Sequence, residues 1–248
     1  MGRVARVGAE AGAAWRSFVR RRTAVFFTFF FPVIIILIFG ALVRTDPTGT
    51  GLFTEPAGYY VPGYLAVVVL FTPLSRVGST VARHREGNRF EKLATTPLTR
   101  TEWLAAHAAV NVAIIGAASV LLLGIIVAIT DATVRPSPWL VPLVALGVVL
   151  FCGIGAALGR VADSQDGVIA ASNSIALPML FLAETFVTPD LLPAYALPLV
   201  DLLPLTYFSR GVRAATYYGT SPALDLAVLA ALAAVAFAVG AAAIPRTD

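Results

Sequence analysis

The sequence reads as an all-α membrane protein. It has six transmembrane helices, an amphipathic interfacial helix before them, a cytoplasmic helix between the second and third, and an outer re-entrant hairpin before the last. Three observations lead there. Of 248 residues, 58% are hydrophobic and 13% charged, about half the charge that covers an ordinary soluble domain. The apolar residues gather in six blocks free of Asp, Glu, Lys and Arg, and no block sustains the period-two alternation of a strand. Mean hydropathy of +0.83 fits a chain whose main solvent is lipid, and it excludes disorder, because this much apolar material does not stay solvated in water. A single cysteine, Cys152, allows no intrachain disulfide, and no Cys/His cluster has metal-site spacing.

A bilayer core of about 30 Å takes about 20 apolar residues as a helix. The uncharged blocks cover 23–43, 56–75, 103–130, 136–159, 167–183 and 226–245. The fifth is slightly short but continues past Glu184 into Thr185, Phe186 and Val187. Helices are expected because they satisfy their own backbone hydrogen bonds in hydrocarbon. The first block is too long for the apolar core of a cleavable signal, and some twenty residues with charges precede it, so it reads as a retained span. The chain over 1–248 is expected to form one transmembrane domain.

Six spans put both termini on one side. Of the 18 basic residues, all but Arg44, Arg135, Arg210 and Arg213 fall on that side, which the positive-inside rule assigns to the cytoplasm. Arginine outnumbers lysine 17 to 1, a bias that suggests a GC-rich prokaryotic genome and hence a prokaryotic cell membrane.

Residues 1–22 supply the interfacial helix. Val4, Val7, Ala11, Trp15 and Phe18 share one helical face, with Arg3, Arg6, Glu10, Ser17, Arg20 and Arg21 largely opposite. An arginine-rich face behind Trp and Phe suits a helix lying among anionic lipid headgroups.

The loop over 83–102 carries the most specific pattern. Asn88 is placed as an N-cap, with Glu91 three residues on to complete a capping box. Phe90, Leu93 and Ala94 then share a face of a short helix that Pro97 limits. Thr99 and Glu102 repeat the capping pattern before the third span. The expected picture is a short helix slung below the membrane, offering Phe90 and Leu93 to a partner.

These residues resemble the membrane-spanning permeases of type-2 ATP-binding cassette (ABC) exporters. That family carries six spans, an amphipathic N-terminal helix, and a coupling helix whose loop commonly reads as an acidic/basic stretch followed by G-T-x-E-x-L-x-x-T-P. Arg85 and Glu86 fall in the acidic/basic stretch, and Glu91, Leu93, Thr96 and Pro97 match the motif. Asn88 stands at the glycine place, and Arg89 replaces the small hydroxyl residue. Two further stretches, 177–193 and 202–213, are similar to the family's Pro-containing fifth span and its P-L-T-Y…R signature. The resemblance implies a second permease subunit, alike or different, and separate ATPase subunits that carry ATP and Mg. It also implies that Arg85, Glu86, Asn88, Phe90, Glu91, Leu93, Thr96 and Pro97 face those ATPases.

Residues 188–222 hold Pro189, Pro193, Pro198, Pro204 and Pro222 among Leu and aromatic residues. The stretch is too apolar for a loose loop and too Pro-broken for a span, so short re-entrant helices are expected, either capping an exit path or simply packing over helix ends. Glu184 lies close by. An acid in hydrocarbon costs a few kcal/mol unless paired or wetted. It is read either as an exit-path residue or Arg210/Arg213 partner, or as a boundary residue at headgroup level. The turn over 160–167, with Asp163 and Asp166, is a candidate second contact for the ATPase.

No G-x-x-x-x-G-K-[ST] occurs, so energy from ATP has to come from another polypeptide. Neither G-x-S-x-G nor H-E-x-x-H is present. His84 and His107 read as interface or polar-edge residues rather than ligands, and neither a catalytic nor a metal site is expected. The basic charge needs no nucleic acid, since topology accounts for it. A scaffold without transport and an intramembrane enzyme are the alternative classes. The pattern names no substrate, because similar permeases handle drugs, lipids, peptides and glycans.

Overall fold

The computed structural model describes residues 2–38, 55–130, 132–188 and 192–245, and every regular element among them is helical. Parts of the first block, the segment after it, Pro189 and Arg246 lie outside the described residues.

In chain order, α1 covers Arg3–Arg20 and α2 Arg22–Ile36, joined by a bend at Arg21. A 3-10 turn, Ala57–Tyr60, leads into α3, Val61–Glu86. The short α4, Arg89–Ala94, precedes α5, Arg100–Ile129, then α6, Leu140–Val161, and α7, Gln165–Leu182. Two short helices follow, α8 at Leu197–Leu202 and α9 at Pro204–Arg213, with a π-turn over Ala214–Tyr218 before α10, Ala223–Ala243.

Among the described residues, four helical stretches are long and apolar enough to cross a membrane: Ala57–Glu86, Arg100–Ile129, Leu140–Val161 and Ala223–Ala243. The helix Arg22–Ile36 is a shorter apolar one. The chain is therefore a membrane protein whose regular elements, among the described residues, are all helical.

The core forms around α3, which packs against α5, α6, α7 and α9, and around α6, which also packs against α10. Hydrocarbon gives helices no hydrophobic reason to associate, so small residues that let backbones touch become the glue. Gly155 and Gly153 of α6 fill that role. A Cβ at Gly155 would overlap the Leu74 carbonyl of α3, and one at Gly153 would overlap the Ala236 carbonyl of α10. Between these crossings Leu70, Leu74, Val77 and Phe151 are fully buried. Toward its two ends α3, 26 residues long or about 39 Å at 1.5 Å per residue, joins two polar clusters.

The Pro-rich stretch before α10 does form short helices. In α9, Leu205, Phe208 and Val212 are fully buried against α3, α6 and α10. Proline at the start of both α8 and α9 fits their breaks, since it tolerates only a first turn.

Candidate functional site

At one end of the bundle α4 hangs between α3 and α5. The Gly87 N–H donates to the Arg83 carbonyl (3.1 Å) and the Asn88 N–H to that of Arg85 (3.0 Å). Asn88 sits in the left-handed region, with φ 49° and ψ 34°, and its side chain makes no cap bond to α4. The expected Asn88–Glu91 capping box is therefore absent. Asn88 ends α3 instead, as one of the few residues besides glycine that enters this conformation readily. Glu91 is left exposed. After α4, the Thr96 N–H (3.0 Å) and hydroxyl (2.7 Å) both donate to the Leu93 carbonyl. The second capping box is present: Glu102 N–H donates to the Thr99 hydroxyl (3.2 Å) and Thr99 N–H to the Glu102 carboxylate (2.9 Å).

Phe90 is 3% exposed, which corrects the expectation that it is offered to a partner. Its ring meets Trp103 at 5.7 Å and His84 at 5.4 Å, both edge-on, and Trp103 in turn lies 4.0 Å from the His107 ring. The side chain is the root of α4 and not its tip, because His84 from α3 and Trp103 from α5 flank it. Leu93 is half-buried. The outward surface of α4 and the turn after it includes Arg89, Glu91, Lys92, Thr95, Thr96 and Pro97, all exposed.

Arg85 and Glu86 also turn toward the bundle. Arg85 Nη1 donates to the carbonyls of Gly159 (3.2 Å), Arg160 (2.8 Å) and Ala162 (2.9 Å) at the end of α6, where a cation suits the helix dipole. The Glu86 carboxylate accepts from the Gln165 N–H (3.1 Å) at the start of α7, where an anion does. The Ser164 hydroxyl caps that helix by accepting from Gly167 N–H at 3.1 Å. The two charges thereby fasten the α6–α7 turn, with exposed Asp163 and Asp166, to the end of α3 that runs into α4.

Polar and charged residues also tie α1 to this same end. Arg6 Nε donates to Glu102 at 3.1 Å, so one carboxylate both caps α5 and holds α1. Glu10 accepts from His107 Nε2 at 3.2 Å, and that hydrogen bond holds the Glu10 carboxyl below its usual range. Arg76, half-buried midway along α3, reaches Asn111 Oδ1 (3.2 Å) and the Ala14 carbonyl (3.4 Å), and its guanidinium covers the Phe18 ring at 4.5 Å. Arg6 and Glu10, expected on the lipid-headgroup face, thus point to α5, and Val4 is 87% exposed. The wheel separated polar from apolar but could not show that α5 offers polar partners 96 residues away.

At the other end of α3, Glu184 has φ 54° and is 4% exposed. The Arg210 Nε donates to both of its carboxylate oxygens at 3.1 Å, and Arg210 also pairs with Asp201 at 2.9 Å. These partners, Glu184 foremost, push the Arg210 pKa further up. Arg213, equally buried, donates to the Glu184 carbonyl through Nη2 and to the Tyr59 carbonyl through Nε (3.3 Å), with its guanidinium 4.0 Å over the Tyr59 ring. Of the expectations for Glu184, the pairing with Arg210 and Arg213 is the one the structure contains.

Charged and aromatic groups thus link α4, α3, α5, α1 and the α6–α7 turn into one unit, with a polar surface left outward on α4. A family model described as ABC-2 type transporter matches residues 8–217, from within α1 to the π-turn, and so takes in both polar ends. No curated protein matches the chain.

Proposed function

The chain belongs to the ABC-2 type transporter family as an ABC permease subunit, and on that footing we propose that it exports substrate using ATP hydrolysed, with Mg, on separate ATPase subunits. The observation that carries this reading is the mounting of α4. The helix is only six residues long, yet it is rooted through Phe90 and stiffly joined to α5 by the Thr99–Glu102 box. A push on Glu91, Lys92 and Thr96 therefore passes to α3 and α5 together instead of being lost in a loose loop. Rigid elements with tight joints are what rigid-body switching needs.

In this reading α2, α3, α5, α6, α7 and α10 are the six spans, both termini and α4 lie in the cytoplasm, and α8–α9 form the outer re-entrant segment. Two permeases, identical or not, pair with two ATPases, and substrate passes between the permeases. Asp163 and Asp166 add a second contact on the ATPase. Glu184, locked to Arg210 and Arg213, opens or shuts the exit by exchanging partners.

The test is co-purification of the ATPase with full-length chain. Glu91→Lys/Lys92→Glu, which alters only exposed residues, should lower ATPase recovery by about tenfold, or about 1.4 kcal/mol, while the permease remains folded. Unchanged recovery contradicts the coupling role of α4. A well-folded permease that brings down no ATPase even as wild type favours a scaffold without transport.

A further inference from the structure

Where α1 bends into α2, an apolar groove of about 480 Å³ opens between the two helices and α5. Trp15 and Val19 form one wall, Val25, Phe26 and Phe29 the second, and Ile114 the floor. One charged residue lines it, Arg22, the first residue of α2. On the other side of Trp15 a second groove, of about 350 Å³, lies between α1 and α5, and its one charged lining residue is Arg16. Both fall within the size that small-molecule sites take, about 300–1,000 Å³.

The two grooves share a polarity. In the larger, the lining runs from Arg22 through Phe26 to Phe30, eight residue steps or about 12 Å of helix, so a cation marks one end and hydrocarbon the rest. Arg16, Arg20, Arg21 and Arg22 are all exposed. None of the four joins an ion pair among the described residues. Trp15, 45% exposed, stands as a ridge between the grooves, a place where an indole suits the membrane interface.

We propose that the grooves on either side of Trp15 hold one anionic phospholipid, with a chain in each groove and the phosphate between Arg16 and Arg22. A zwitterionic lipid fills the apolar volume equally well but leaves the arginine cluster without net counter-charge. A second copy of this chain would have to bring an acid to the bend. The bound lipid acts as a wedge that sets the angle between α1 and α2, and through Arg76 and Phe18 it bears on α3. The inference needs only the membrane location of the chain and is independent of the ATPase reading, so the two stand or fall separately.

The full chain is placed in phosphatidylcholine nanodiscs doped at equal mole fraction with brominated-chain phosphatidylglycerol or brominated-chain phosphatidylcholine. Tryptophan quenching is measured with and without Trp15→Phe, which isolates Trp15 from Trp103 and Trp139. Brominated phosphatidylglycerol should quench Trp15 more strongly. The preference should fall roughly fivefold for each arginine removed in Arg16→Gln and Arg22→Gln. Ala117→Phe, which fills the larger groove and leaves the charges, should reduce quenching by both lipids. Equal quenching by both lipids in the wild type, or a preference that survives the double arginine variant, overturns the proposal. So does a disulfide between two copies through Val19→Cys, since the groove would then be covered by protein.

Discussion

At the residue scale the two capping patterns of the 83–102 loop show what local sequence does and does not determine. Asn88–Glu91 and Thr99–Glu102 look alike on paper, yet only the second forms a box. Thr99 follows Pro97 and Leu98, so nothing competes for its backbone. Asn88 follows Gly87 at the end of a 26-residue helix, whose last carbonyls need donors, and the left-handed turn that supplies them wins. Thr99→Ala should cost about 1 kcal/mol, read as faster hydrogen exchange at 100–103. The same substitution of Asn88 should cost more than a lost cap, because alanine is strained at positive φ. The burial of Phe90 was not legible, since Trp103 and His84 flank it from two other helices. Phe90→Ala should loosen α4 by about 3 kcal/mol, seen as rapid exchange at 89–94 with α6 and α10 still protected. Glu184→Ala leaves Arg213 charged and buried without its carboxylate, a change in the class that costs about 3–5 kcal/mol. Its melting temperature in detergent should fall well below that of Asp201→Ala, whose carboxylate is half exposed.

At the scale of elements, four of the six expected spans are long apolar helices among the described residues, legible because hydropathy and helix length are properties of contiguous sequence. The contacts between them were less so. Gly153 and Gly155 are two of 20 glycines, and only the crossings of α6 with α10 and α3 distinguish them. Gly155→Val should open the α3–α6 crossing at a cost of about 1–3 kcal/mol, measured as a lower melting temperature, whereas Gly124→Val, with open space around it, should be silent. The docking of α1 rests on Arg6, Glu10 and Arg76, each reaching another helix. Glu10 titrates below its ordinary value of 4.5 when docked. A carboxyl with a depressed folded pKa stabilises the docked state above its ordinary value, and that share disappears as pH falls through the lower, docked value. Amide protection in α1 should therefore be flat from neutral pH to about 5 and decline below 4.5, and the decline should be shallower in Glu10→Gln.

For the whole molecule, the proposed coupling is mechanical. Work done on the exposed side of α4 reaches the bundle through Phe90 and the Thr99–Glu102 joint, and it spreads through Arg85 and Glu86 to α6–α7 and through Glu102 and His107 to α1. The most direct test uses Lys92→Cys in membranes that contain the ATPase, with buried Cys152 giving little background. A thiol cross-linker should join residue 92 to the ATPase, with a yield that changes when ATP is added, and an impermeant thiol reagent should reach it only from the cytoplasmic side. Labelling from outside, or no ATPase adduct in any nucleotide state, would contradict the account.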